Sequence, residues 1–246
     1  MSLNYLPRSA WNARASKGPT HLNATGLLGT ALHWPGMGNR RLFAQADVAR
    51  ALRGWQDYHM DPTPKGRGWS DIAYQVAVDQ AGRVWTLRGL TTRSGANGDE
   101  DANAAYGAIL LVLGTGETPT GALINSTRAV IADFRRLYPK ATAIKPHSWV
   151  RTHYTGTGTD CPGDPARALI AAGQFNPTTT TTPEGGTLSA TDAQRVIDYT
   201  EQVSIQIQAH IDQMNDDYAR RAAAELLAPA NLDKIATAVA AKLSKA

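Results

Sequence analysis

The chain has a single cysteine, Cys161, in 246 residues. No internal disulfide can form, and the lone thiol is left as a packing group, a nucleophile or a metal ligand. No window approaches eighteen consecutive apolar residues, and the longest apolar stretch, residues 108–113, has the length of a strand. Membrane insertion through an apolar helix is therefore excluded from the reading. The first eight residues lack the basic-then-apolar order of a secretory leader, so the product is expected in the cytoplasm of the cell that makes it. There is no His-Glu-x-x-His or Cys-x-x-Cys word and no internal repeat. No basic helix or aromatic stacking platform speaks for nucleic acid, so no nucleic-acid partner is expected.

What is present describes a folded protein in two parts. Hydrophobic residues make up 42% and charged residues 19%, with 22 Gly and 13 Pro, a composition that supports a packed, loop-rich core rather than disorder. Residues 188–246 hold 8 acidic and 6 basic residues and no glycine, whereas the first 187 hold 13 acidic and 19 basic. The larger part is thus basic, which suits a polyanion such as a cell wall as well as nucleic acid and does not choose between them. Between the parts, residues 176–187 are mostly Thr, Pro and Gly, with Asn176 and Glu184 and nothing to bury, the composition of a linker.

Before the linker, helical and strand patterns alternate. Residues 26–33 read as a buried strand ending in His33, and 45–58 as a helix with Val48, Leu52 and Trp55 on one stripe. Residues 74–78 and 83–87 flank Asp79-Gln80-Ala81-Gly82, a hairpin signal. A central strand is expected at 108–113, an amphipathic helix at 123–137, a short strand at 141–145 and a closing helix at 165–172. The expected fold class is α/β, a mixed central sheet flanked by helices. After the linker, Val196, Val203, Ile207, Ile211, Met214 and Tyr218 lie on one helical stripe, and a second short helix is expected after Pro229. This C-terminal helical region could close on itself as a hairpin, self-associate as a coiled coil or dock on a wall component.

Six histidines occur, and a catalytic zinc takes three protein ligands from His, Cys and carboxylates. Two strand-end histidines and the only cysteine would suffice. Spacing alone is a weak guide, since His33 and His147 stand 114 residues apart, and from residue types alone packing histidines with a buried thiol are the better reading.

Five words occur in order: Thr30-Ala31-Leu32-His33-Trp34, 68–76 (Gly-Trp-Ser-Asp-Ile-Ala-Tyr-Gln-Val), 79–85 (Asp-Gln-Ala-Gly-Arg-Val-Trp), Pro146-His147, and Thr159-Asp160-Cys161-Pro162-Gly163. With the opening Arg8-Ser9-Ala10-Trp11-Asn12-Ala13-Arg14, they resemble the peptidoglycan recognition protein and type 2 amidase family. Its catalytic members are zinc N-acetylmuramoyl-L-alanine amidases, many of them phage endolysins. The resemblance runs over residues 8–172.

The resemblance implies that residues 1–175 form a zinc amidase domain with His33, His147 and Cys161 as metal ligands. It also implies that bacterial peptidoglycan is the partner. Tyr74 matches the tyrosine that faces the reacting centre. Thr159 matches a position carrying Lys or Thr, where a hydroxyl could assist an oxyanion or cap the cysteine turn. A Cys ligand is what catalytic members carry, and the alternative is a binding-only module of the same fold. A wall-lytic domain without a leader implies a phage lysin released at lysis. Two departures stand out: Gly95-Ala96-Asn97 replaces a common Gly-Ala-His, putting groove contacts there in doubt, and Asp99-Glu100-Asp101 is unusually acidic. Residues 151–158 read as a long Gly/Thr-rich loop, with His153 in it solvated or lining the groove. His59 is expected to be a structural, hydrogen-bonded histidine, and Asp71 to satisfy backbone donors rather than act as a base.

Overall fold

A computed structural model describes residues 3–177, apart from 24 and 37, together with Thr237. Most of the expected linker and the helical region 188–246, with its hairpin, self-association and docking readings, lie outside the described residues.

The apolar run forms β5 (Tyr106–Val112), buried at every position. Successive side chains of a strand point to opposite faces. Ile109 and Leu111 accordingly enter one core cluster, and Leu110 and Val112 another. With both faces covered, the strand shows continuous rather than alternating hydrophobicity. On one side of β5 lies β2 (Gly29–His33) and beyond it β6 (Ala143–Pro146), both in parallel register. On the other side β3 (Val76–Asp79) is parallel to β5 and antiparallel to β4 (Val84–Thr86), and β1 (Tyr5–Leu6) lies parallel along β4. The six-stranded order is β1-β4-β3-β5-β2-β6.

The β3–β4 turn is fixed by a fully buried carboxylate. Asp79 accepts the N–H groups of Ala81 (3.0 Å) and Arg83 (3.1 Å) and the indole N–H of Trp85 (2.8 Å), and pairs with the Arg83 guanidinium at 2.7 Å. A buried charge is tolerable only when so completely hydrogen-bonded. Gly82 takes φ 79°, the left-handed conformation the turn needs.

Helices cover both faces. α1 (Gln45–Met60) buries Val48 and Leu52 on the Leu110 side, as its stripe predicts. On the other face, α3 (Gly121–Leu137) buries Leu123, Val130, Ile131 and Phe134, and its first turn is capped by Thr120, whose hydroxyl accepts the Leu123 N–H at 3.1 Å. α5 (Asp164–Ala171) follows the cysteine loop. Among the described residues no helix is long and apolar enough to cross a membrane.

Two helices depart from the sequence expectation. The acidic stretch at 99–101 starts α2 (Glu100–Ala105): the Asp99 side chain accepts the Ala102 N–H at 2.7 Å, and Glu100 and Asp101 complement the positive end of the helix. Residues 151–155, expected as loop, form the second half of α4 (His147–Thr155), which ends at Gly156 with φ 71°. Its Thr and His residues are weak helix formers, but Val150 is fully buried among Ala31, Ala102 and Tyr106, and that packing overrides propensity.

Candidate metal centre

The parallel register of β2 and β6 sets Leu32 opposite Pro146. The next residue along the chain is a histidine in each case, His33 as the last of β2 and His147 as the first of α4, so the two meet at the same end of the sheet, ring centroids 4.3 Å apart and tilted by 37°. Cys161 enters from the loop between α4 and α5. Its carbonyl accepts the Ser148 N–H at 2.8 Å, tying that loop to the start of α4, and its Sγ receives the Trp34 N–H at 3.3 Å. Two residues on, Gly163 has φ 87°, and a Cβ there would stand 3.2 Å from the Trp34 ring. Glycine is therefore what the Cys-Pro-Gly turn requires at that place.

The ligand atoms of His33, His147 and Cys161 lie within 4.8 Å of one another, and all three residues are buried. Cys161 Sγ is 3.8 Å from His33 Nδ1. His147 Nε2 is buried with no hydrogen-bond partner among the described residues, a costly condition for a polar atom unless something else satisfies it. Around a tetrahedral zinc the ligand atoms would stand roughly 3.3–3.6 Å apart, so a small closure of this triangle meets the ion's needs. Two imidazoles and one thiolate with a fourth place open are a zinc-type donor set.

Burial sets the protonation states. It holds His33 well below the usual histidine range, helped by the neighbouring His147, while the Asn97 hydrogen bond acts in the opposite direction. His147 is pushed down to about 4, chiefly by burial and then by Arg151. The Cys161 thiol is pushed up to about 12 by burial, which the Trp34 N–H and Arg167 only partly offset. Near neutral pH both imidazoles are uncharged electron-pair donors and the thiol carries a proton that a metal would have to displace.

Tyr74 presents its ring edge-on to His33, with centroids 5.3 Å apart. Burial, followed by Cys161, raises its hydroxyl far above the ordinary tyrosine range, so it stays a proton donor. Thr159 is partly buried and its Oγ1 accepts the Cys161 N–H at 3.3 Å. That oxygen therefore holds the cysteine turn, while its own proton is free to be donated.

His59 accepts the Ala73 N–H on Nδ1 at 3.3 Å and stacks on Trp69, centroids 5.1 Å apart with planes 7° apart. Asp71, 2% exposed, accepts from the Ile72 N–H and from Gln56 and pairs with Arg8 at 2.9 Å. Both occupy the supporting roles read from the sequence. His153 is not in a loop: it lies on α4, exposed, stacked on Trp149 with centroids 4.8 Å apart. Asn97 lies where the sequence put groove contacts in doubt. It is fully buried behind His33, with Oδ1 2.9 Å from His33 Nε2. The only signal for it in the sequence is the Gly-Ala-Asn departure, which says nothing of where the side chain points.

No family model matches the chain. Peptidoglycan-recognition protein LB of Drosophila melanogaster is 26% identical over 171 residues, covering 68% of this chain and 67% of the relative. The solved structure of Drosophila PGRP-LB superposes with a TM-score of 0.58 at 23% identity, covering 74% of this chain and 100% of that one. Peptidoglycan recognition protein LE, solved in complex with tracheal cytotoxin, a monomeric diaminopimelic acid-type peptidoglycan, matches with a TM-score of 0.58 at 21% identity, covering 70% and 95% of the two chains. The mixed six-stranded sheet flanked by helices is the peptidoglycan recognition protein fold.

Proposed function

We propose that this chain is a zinc-dependent peptidoglycan amidase, hydrolysing the amide between the lactyl group of N-acetylmuramic acid and L-alanine of the stem peptide. The observation that carries the reading is the convergence of His33, His147 and Cys161, three buried donors with an unpartnered imidazole nitrogen among them. The likeness to peptidoglycan recognition proteins, one of them solved on a peptidoglycan fragment, supports the substrate class.

When bound, zinc lowers the pKa of a coordinated water toward about 7 and polarises a carbonyl. His33, His147 and Cys161 would hold it through two imidazole nitrogens and one thiolate. The Tyr74 hydroxyl forms no hydrogen bond to the described residues and belongs to a ring packed against His33, so it can donate to the oxygen of the scissile carbonyl as negative charge gathers there. Thr159 holds the cysteine turn and can direct its proton to the same region. Water adds to the carbonyl carbon and the C–N bond breaks. The products are a muramic lactyl carboxylate and a free L-alanine amine.

Mass spectrometry of purified peptidoglycan incubated with the zinc-loaded protein tests the reading. The expected result is peptides with a new N-terminal L-alanine and glycan with free lactyl carboxylates, lost on adding a chelator. Binding to peptidoglycan without those products would identify a recognition module of the same fold.

A further inference from the structure

We infer that Asn97 is a positioning residue that fixes the tautomer of His33 and aims its Nδ1 at the metal; the metal half of this inference rests on the zinc reading above. A side-chain amide can usually be turned over, but here its surroundings allow one orientation. The nitrogen Nδ2 lies 2.7 Å from the Tyr106 carbonyl and 3.2 Å from the Ala102 carbonyl, with Ser94 Oγ at 3.4 Å. Carbonyl oxygens only accept, so the atom facing them must be the donor. The other amide atom, Oδ1, then faces His33 Nε2 at 2.9 Å and must receive a proton. His33 therefore carries its hydrogen on Nε2. Its Nδ1, 3.8 Å from Cys161 Sγ, is left with the free electron pair.

The scaffold behind the amide is itself fixed. The Asn97 N–H donates to Asn103 Oδ1 at 3.0 Å, and Asn103 lies on α2, the short helix that Asp99 caps. Asn97 is fully buried, so water cannot compete for either end of its side chain. A second partner on the non-ligating nitrogen orients a metal-binding imidazole, and losing such a partner costs on the order of 10- to 100-fold in metal affinity.

The test uses the full chain and two readouts. In the metal-free wild type, two-bond proton–nitrogen NMR of the imidazoles should show His33 protonated on Nε2; an Nδ1-protonated His33 overturns the inference without any variant. Zinc affinity is then measured by competition with a chromophoric chelator for wild type, Asn97→Leu and Asn97→Asp. Leu keeps the branched shape without an acceptor and is expected to weaken zinc binding about 10- to 100-fold and to release the tautomer. Asp keeps an acceptor oxygen toward His33 and, protonated on its other oxygen in this buried place, still donates to the Tyr106 carbonyl, so it should recover most of the affinity. Wild-type affinity in folded Asn97→Leu, with His33 still protonated on Nε2, makes Asn97 a packing residue. A wild type that binds no zinc at all refutes the metal reading instead, while the tautomer measurement still decides the Asn97–His33 pairing.

Discussion

The Tyr74 ring stands edge-on to the His33 ring, 62° between planes and 5.3 Å between centroids. The contact is made by the ring, and the hydroxyl forms no hydrogen bond to the described residues, so ring and hydroxyl can be separated by mutation. Tyr74→Phe should fold normally and retain its zinc while the rate of amide hydrolysis falls by about 10² to 10³, the loss typical of one oxyanion donor. Steady-state turnover alongside zinc content checks it. Turnover near wild type would make Tyr74 a wall of the groove.

Cys161 yields a prediction about protons. Because burial pushes the thiol up to about 12, and His33 and His147 are already uncharged near neutrality, zinc binding at pH 7.5 should release about one proton, all of it from the cysteine. Titration calorimetry in buffers of different ionisation enthalpy reads that number. The apparent affinity should rise about tenfold per pH unit between pH 6 and 8. Cys161→Ser should bind zinc poorly and release no proton; release that survives the substitution would point to another ligand.

His59 links stability to pH. Its pKa is depressed to about 4, first by burial and then by Arg88 and Arg67, against an unfolded value of 6.5. The unfolded chain therefore binds the proton more readily, and the stability that neutral His59 contributes is present above pH 6.5 and lost as pH falls toward 4. Protonation also removes the lone pair that accepts the Ala73 N–H. Urea unfolding of the metal-free protein at pH 7 and pH 5 should show His59→Gln losing about 2 kcal/mol less than wild type. Equal losses in the two proteins would show that His59 is not the group that titrates.

Phe175, 1% exposed, belongs to the same core cluster as Phe134 and Ile109, and Gln174 accepts from Arg128 through its carbonyl at 2.6 Å. A fragment of residues 1–177 is thus expected to fold and to hydrolyse muropeptides, whereas one ending at residue 171 should be unstable. Phe175→Ala in the full chain should cost about 3 to 5 kcal/mol. Thermal melting and activity of both fragments decide the matter; an unfolded 1–177 would mean that the fold continues past the proposed linker.

The sequence alone determined the elements whose signals are local. β5 is a continuous apolar run, α1 and α3 carry apolar stripes at helical spacing, and the hairpin follows from Asp79 to Gly82. These were legible because a period of 2 or 3.6 residues and a turn's φ are properties of neighbours in the chain. The five words in order, through their likeness to a family, also nominated His33, His147 and Cys161. What only the tertiary structure decided is how residues far apart meet. Nothing local relates His33 to His147 across 114 positions; the register that sets Leu32 against Pro146 does. α4 is a helix because Val150 finds a buried place among Ala31 and Ala102, an energy no window around residue 150 contains. Asn97 is readable as a support for His33 only once β5 and α2 have brought two carbonyls to its nitrogen, because a side-chain amide has no preferred direction until something fixes which end must donate.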